Sequence, residues 1–292
     1  MKRVEGDSVQ FGVLEIVLPT AGESQCYIFR DLTELLGLEY NSEALDQFKV
    51  EWKRRRKRGR LDLDCEADAV SIYGGREAIL EAALLIYELA IPSVARPTPA
   101  AVEQARGAIK RHKRPPRVAW AVGDVFAAPL LDGSFVLGQV LWEMTFAKGY
   151  SGRAPTVALF EHRATSPTGV DLDDAVTTRT LAVLHVQSSS LDTGEWRVLG
   201  RRPVTTDPFS GPCGKPGQEG CISWDGLEIL ANAWYGLEPW NRFFRTDYLD
   251  QTLMRGVRRP ASAVMLTAEE RVALELPADD DAAYKLLARQ RT

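Results

Sequence analysis

Apolar residues crowd both faces of Val122–Trp142, and the period-two pattern predicts two paired strands. Val125, Ala127 and Pro129 take one face and Phe126, Ala128 and Leu130 the other; Asp132-Gly133 supplies the turn, and Phe135 to Leu141 runs back. Gly123-Asp124 opens the first strand. Gly138 interrupts the second, where a bulge or a close backbone approach is the usual physical reason. Further strands are expected near Val157–Glu161, Leu181–Gln187 and Trp196–Leu199. Asp207–Gly220, rich in proline and glycine, reads as a long loop. Trp224–Tyr235 reads as strand running into helix, Asp247–Arg255 as a helix, and Val264–Glu275 as a short strand before a helix start. Asp279-Asp280-Asp281 would cap a basic amphipathic helix at the tail.

The first third of the chain has a different rhythm. An apolar stretch, Phe11–Leu18, is closed by Pro19, and a short strand, Cys26–Phe29, follows a turn. Asp31 is placed to cap Leu32–Leu36, with Glu34 at the capping-box position and Gly37 as the stop. Ser42 is placed to cap a helix carrying Leu45, Phe48 and Trp52 at helical spacing. Leu61–Cys65 and Ala69–Tyr73 alternate like a hairpin, and Arg76–Leu89 is an amphipathic helix. Ile91–Pro99 reads as a linker. Thr98 and Pro99 then start a helix running towards Lys113, which Pro115-Pro116 stop. These elements predict an α+β protein of two modules: a small N-terminal sheet with helices on one face (residues 1–92) and a larger strand-rich domain (118–292), joined by a basic linker with a helix (93–117).

Charge sharpens that division. The net charge of −4 splits into −5 over residues 1–95, +6 over 96–117 and −5 over 118–292. Two acidic modules suit cationic partners and repel nucleic acid. The longest apolar run, Ala82–Tyr87, is too short to span a bilayer. No signal-peptide core follows the N-terminus, so a cytoplasmic protein with no membrane partner is expected. Four cysteines do not make a disulfide scaffold. All four read as reduced structural thiols, with a Cys213–Cys221 bridge as the alternative. Cys213 and Cys221 flank the long loop with no histidine nearby, which disfavours zinc.

Two segments carry a family resemblance. Gly123-Asp-Val-Phe-Ala-Ala-Pro-Leu-Leu-Asp-Gly-Ser-Phe-Val-Leu-Gly-Gln-Val140 resembles the start of the immunity protein 26 family of bacterial polymorphic toxin systems. Leu230-Ala-Asn-Ala-Trp-Tyr-Gly-Leu-Glu-Pro-Trp-Asn241, with Thr246-Asp-Tyr-Leu249 behind it, is similar to that family's later Tyr-x-Gly-Leu-x-Pro-Trp block. The resemblance covers about residues 118–265 and singles out Gly123, Asp124, Gly133, Gly138, Gly236, Pro239 and Trp240 as structural motif positions. Asn241 departs from the pattern, which often has an acid there. The resemblance implies a protein encoded beside a toxin that binds and neutralises it, without a catalytic constellation to transfer. Some members share a label with an organophosphate hydrolase.

The residues offer few chemical alternatives. A binuclear hydrolase needs several histidines and carboxylates around its metals, and only His112, His162 and His185 exist. Glu161-His162 with Asp171, Asp173 and Asp174 could bind one metal, although the spacing fits no recognised site and a solvated acidic loop explains it more simply. His185, within an apolar run, reads as a hydrogen-bonded core residue. No nucleophile elbow, phosphate-cradling loop or dinucleotide fingerprint is present. Cys213 has no neighbouring base to activate it. Lys53–Arg58 could contact phosphates, but a helix C-terminus favours cations anyway. The late aromatics, Trp224 to Tyr248, read as core whose exposed members would anchor a protein interface. The expectation is therefore a cofactor-free, non-catalytic immunity protein that occludes a cognate toxin. Asp171, Asp173, Asp174, Glu161 and Trp240 are its expected contact residues, and the acids would steer a basic nuclease-like toxin. A metal-dependent phosphoester or organophosphate hydrolase is the alternative. A nucleic-acid regulator acting through Lys53–Arg58 and the connector is the third reading.

Overall fold

The computed structural model describes residues 7–55, 59–66, 68–145, 153–212, 222–223 and 226–277. The fold is α+β, with two compact units at residues 1–117 and 118–292. The first contains β1 (Ser8–Phe11), β2 (Leu14–Val17), β3 (Cys26–Arg30), α1 (Thr33–Leu36), α2 (Asn41–Arg54), β4 (Leu61–Cys65), β5 (Val70–Gly74), α3 (Arg76–Leu89) and α4 (Pro99–Arg111). Its antiparallel sheet runs β1-β2-β3-β5-β4. Leu14, Ile16, Cys26, Ile28, Val70 and Ile72 point from it into a core shared with all four helices.

Three local expectations change. Phe11–Leu18 is two strands, because the Tyr87 hydroxyl accepts from Val13 N at 2.6 Å and donates to Phe11 O at 2.6 Å, fixing a turn between them. Neither Glu34 nor Ser42 acts as a cap. Asp31 Oδ1 accepts from Thr33 N (2.9 Å) and Oγ1 (2.6 Å), and α2 starts at Asn41, whose Oδ1 accepts from Leu32 N (3.0 Å). The basic segment is no free linker either. Thr98 caps α4, accepting from Ala101 N at 3.2 Å, and α4 buries Ala105 and Ile109 in the first core. Arg76 donates to the carbonyls of Lys110 (3.1 Å) and His112 (2.7 Å), and Arg114 and Arg117 donate to those of Thr20 (3.0 Å) and Ala21 (3.0 Å).

The second unit contains β6 (Asp124–Pro129), β7 (Phe135–Thr145), β8 (Arg153–Ala164), α5 (Leu172–Thr177), β9 (Thr180–Val186), α6 (Ser189–Thr193), β10 (Arg197–Arg201), β11 (Ile222–Ser223), α7 (Gly226–Trp234) and α8 (Ala268–Ala273). Its sheet runs β10-β6-β7-β8-β9-β11, antiparallel except for the β9–β11 pair. Apolar side chains cover both faces. One carries Phe126, Val136, Val140, Val157 and Leu159 under α7 and Trp240; the other carries Ala127, Leu137, Ala158 and Phe160 under Ala175 of α5. Gly138 sits beside a register shift, and a Cβ there would meet Phe126 Cζ at 2.5 Å and Ala158 O at 2.6 Å. The expected helix over Asp247–Arg255 shrinks to one 3-10 turn, Asp250–Thr252, because Met254 N is drawn to Leu181 O of the sheet (2.8 Å). At Val264 a single contact, Trp240 N to Val264 O (2.8 Å), replaces the expected strand; α8 follows with a Thr267–Glu270 capping box. The tail helix, Cys213, Cys221, Trp224 and Arg56–Arg58 lie outside the described residues.

Candidate binding surface

The two segments that carry the family resemblance meet in space. In the β6–β7 turn, Leu130 N donates to Ser134 O (2.7 Å), and Asp132 Oδ1 accepts from Ser134 N (3.1 Å) and Oγ (2.6 Å). The turn is joined to α7 by Leu131 N donating to Asn232 Oδ1 at 3.0 Å. Asn232 O also accepts from Leu237 N (2.8 Å), closing the helix end around Gly236, whose φ of +71° is the left-handed conformation that glycine adopts without strain. Tyr235 is thereby set beside the turn.

Strand β8 and the residue just before β9 supply most of the charges. Arg163 donates from Nε to Ser134 Oγ (2.8 Å), bonds Asp132 and lies 5.1 Å over the Tyr235 ring. One rung on, Arg179 Nε donates to Glu161 Oε2 (2.8 Å), and its guanidinium lies 5.6 Å over the buried Trp234 ring. Arg163 and Asp132 are about one-third exposed, Glu161 and Arg179 somewhat more; Leu131 at the turn tip is 53% exposed. The Ser134 hydrogen bonds, with Arg163 behind them, hold the Asp132 carboxyl below its ordinary value. Burial, reinforced by Glu161 and opposed by Arg163, pushes the Tyr235 phenol up to about 12. At neutral pH it is therefore an uncharged hydroxyl. The surface offers paired charges, a protonated tyrosine and an apolar tip, the residue types that dominate protein interfaces.

The expected contact residues do not form one patch. Strand alternation sends Glu161 to the α7 face and His162 to the α5 face, where His162 Nδ1 is 3.7 Å from Asp174 Oδ2. Asp171 is occupied as the cap of α5, accepting from Asp173 N (2.9 Å) and Asp174 N (3.2 Å). Asp173 pairs with Arg202 at 2.5 Å, which holds its carboxyl low. The set weighed as a metal site is thus split across the sheet, and among the described residues no group of three or more His, Cys, Asp or Glu is placed to hold a metal ion. Trp240 is fully buried, tilted 6.3 Å from Trp234, with Nε1 donating to Asp250 Oδ2 (3.1 Å).

The other motif positions are structural. Asp124 accepts from Ala121 N (2.7 Å) and Arg201 Nε (2.8 Å), and Gly123 O accepts from Arg202 N (2.9 Å), fixing the start of β6. Asn241 accepts from Leu266 N (2.7 Å) and donates from Nδ2 to Leu266 O (3.0 Å). An ionised carboxylate in its place could make only the first bond, so the amide is matched to its neighbour. His185 is buried, as expected, with Nδ1 2.7 Å from Thr156 Oγ1. In the basic run, Arg54 pairs with Glu51 (2.8 Å) and Arg55 with Glu51 (3.6 Å) and Glu88. Among the described residues no helix is long and apolar enough to cross a membrane. Comparison of the chain with protein-family models, curated proteins and solved structures returns no match.

Proposed function

We propose that this chain is a non-catalytic immunity protein, which acts in the cytoplasm by binding a cognate bacterial toxin domain and occluding its active or substrate-binding surface. The observation that carries the reading is the meeting of the Gly123–Val140 and Leu230–Asn241 segments at one exposed surface, where Leu131, Asp132, Glu161, Arg163, Arg179 and Tyr235 lie together. Tyrosine and arginine anchors with prearranged partners lose little side-chain freedom on binding, which favours affinity. The net charge of −4 suits a cationic toxin such as a basic nuclease.

Co-expression with the product of the gene immediately upstream tests the reading. The two proteins should co-purify, and the chain should rescue cells from that product. Asp132→Lys with Glu161→Lys, which opposes a cationic toxin, should weaken binding by about 100-fold, each charge reversal costing roughly 1–2 kcal/mol at an interface, while circular dichroism stays that of the parent. Wild-type protein that neither co-purifies nor rescues overturns the proposal.

A further inference from the structure

We infer that two groups beside the β6–β7 turn select the partner: the Leu131 side chain, which enters an apolar pocket, and the Tyr235 hydroxyl, which donates a hydrogen bond to an acceptor at that pocket's rim. Both roles rest on the reading of this surface as toxin-binding. The charged groups around them are already turned on one another. Arg163 bonds Asp132 and Ser134 Oγ (2.8 Å), and Arg179 meets Glu161 Oε2 through Nε and Nη2, each at 2.8 Å. Leu131 has no such partner. It is half exposed and packs in none of the hydrophobic clusters of its unit, whereas Leu130 beside it is buried. A lone exposed leucine is ordinary on a protein surface. This one stands on a turn whose backbone is fixed from several sides: Gly133 N donates to Leu130 O (3.0 Å), Leu131 N donates to Asn232 Oδ1 (3.0 Å), and Asp132 holds Ser134. A Cβ on Gly133 would meet nothing within 4 Å, so open space lies beside the tip. An apolar group held in place before binding loses little freedom when it docks.

Tyr235 adds the polar half. Its ring is half-buried under Arg163, yet its hydroxyl makes no hydrogen bond among the described residues. Every side-chain nitrogen or oxygen sealed from solvent among those residues has a partner, so the Tyr235 hydroxyl reaches the surface. Tyrosine hydroxyls in buried surroundings usually find a partner, and here that place is open. Burial, with Glu161 behind it, keeps the phenol protonated at neutral pH, so it can donate to an oxygen acceptor. One guanidinium, that of Arg163, reaches from the turn to the ring and ties the two groups together. The matching partner surface is an apolar pocket with a backbone carbonyl or a carboxylate at its rim, which is how substrate clefts are built.

Isothermal titration calorimetry of the full chain against the purified product of the upstream gene tests both roles. Leu131→Ser should weaken binding about tenfold. Leu131→Met, which keeps an apolar tip, should weaken it less than about twofold. Tyr235→Phe keeps the ring under Arg163 and removes only the hydroxyl; it should weaken binding about fivefold, the usual worth of one hydrogen bond. Val50→Ser, at a valine of α2 that is 63% exposed, should leave the affinity unchanged. The urea midpoint of Leu131→Ser should stay that of the parent, because the side chain supports no core. Wild type that fails to bind overturns the toxin-binding reading of the whole surface. Wild type that binds, with either Leu131→Ser or Tyr235→Phe as tight as the parent or with Val50→Ser as weak as Leu131→Ser, overturns the two assigned roles alone.

Discussion

Gly138 shows how tightly one position can be constrained: the Phe126 ring and the Ala158 carbonyl occupy the space a side chain would need. Gly138→Ala should cost about 1–3 kcal/mol, the usual toll of overpacking, and urea denaturation would register it as a lower midpoint with an unchanged slope. Tyr235 gives a pH signature. Its raised pKa means the folded state keeps the proton that the unfolded chain releases near 10. Stability should be flat in this respect below pH 10 and fall as pH rises from 10 towards 12; Tyr235→Phe should remove that part of the decline. Reading residue types in order located Gly138 and the hydrogen-bonded His185. It missed Arg163 and Arg179. Their only local signal is that Glu161 and Arg163 share a strand face, and nothing local shows that Tyr235 and Trp234 lie beneath their partners.

Helix ends carry much of the local stability. Asp171 satisfies two amides at the start of α5, so Asp171→Ala should destabilise by about 1 kcal/mol, visible in thermal denaturation. Arg271 of α8 is buried and donates to the carbonyls of Pro277 (2.8 Å), Phe243 (3.0 Å), Phe244 (3.2 Å) and Asn241. Arg271→Leu would leave these acceptors without donors and should cost about 2–4 kcal/mol by the same measurement. Elements with strong local signals, such as α3 with its continuous apolar stripe and α4 with its Thr-Pro start, are legible in order of residues. Asp247–Arg255 has helical composition too, yet a backbone bond to β9 takes it away from the helix. A long-range partner of that kind leaves no trace in local periodicity.

The boundary between the units has a direct test. Because α4 supplies Ala105 and Ile109 to the first core, a fragment of residues 1–117 should unfold at higher urea than one of residues 1–92, in proportion to the apolar surface that α4 covers. A 1–92 fragment of equal stability would return α4 to the role of a linker. The α+β class, most strands and the hairpin turn follow from residue order, because periodicity and turn chemistry act between near neighbours; the two acidic modules do not hold, since the basic segment joins the first unit and brings residues 1–117 from −5 to +1. Which charges meet is another matter. Glu161 and His162 are adjacent in the chain but separated by a sheet, Trp240 is buried in the core of its unit, and the basic segment is spent on nearby carbonyls. Strand register and packing set those outcomes, and both depend on contacts between residues tens of positions apart.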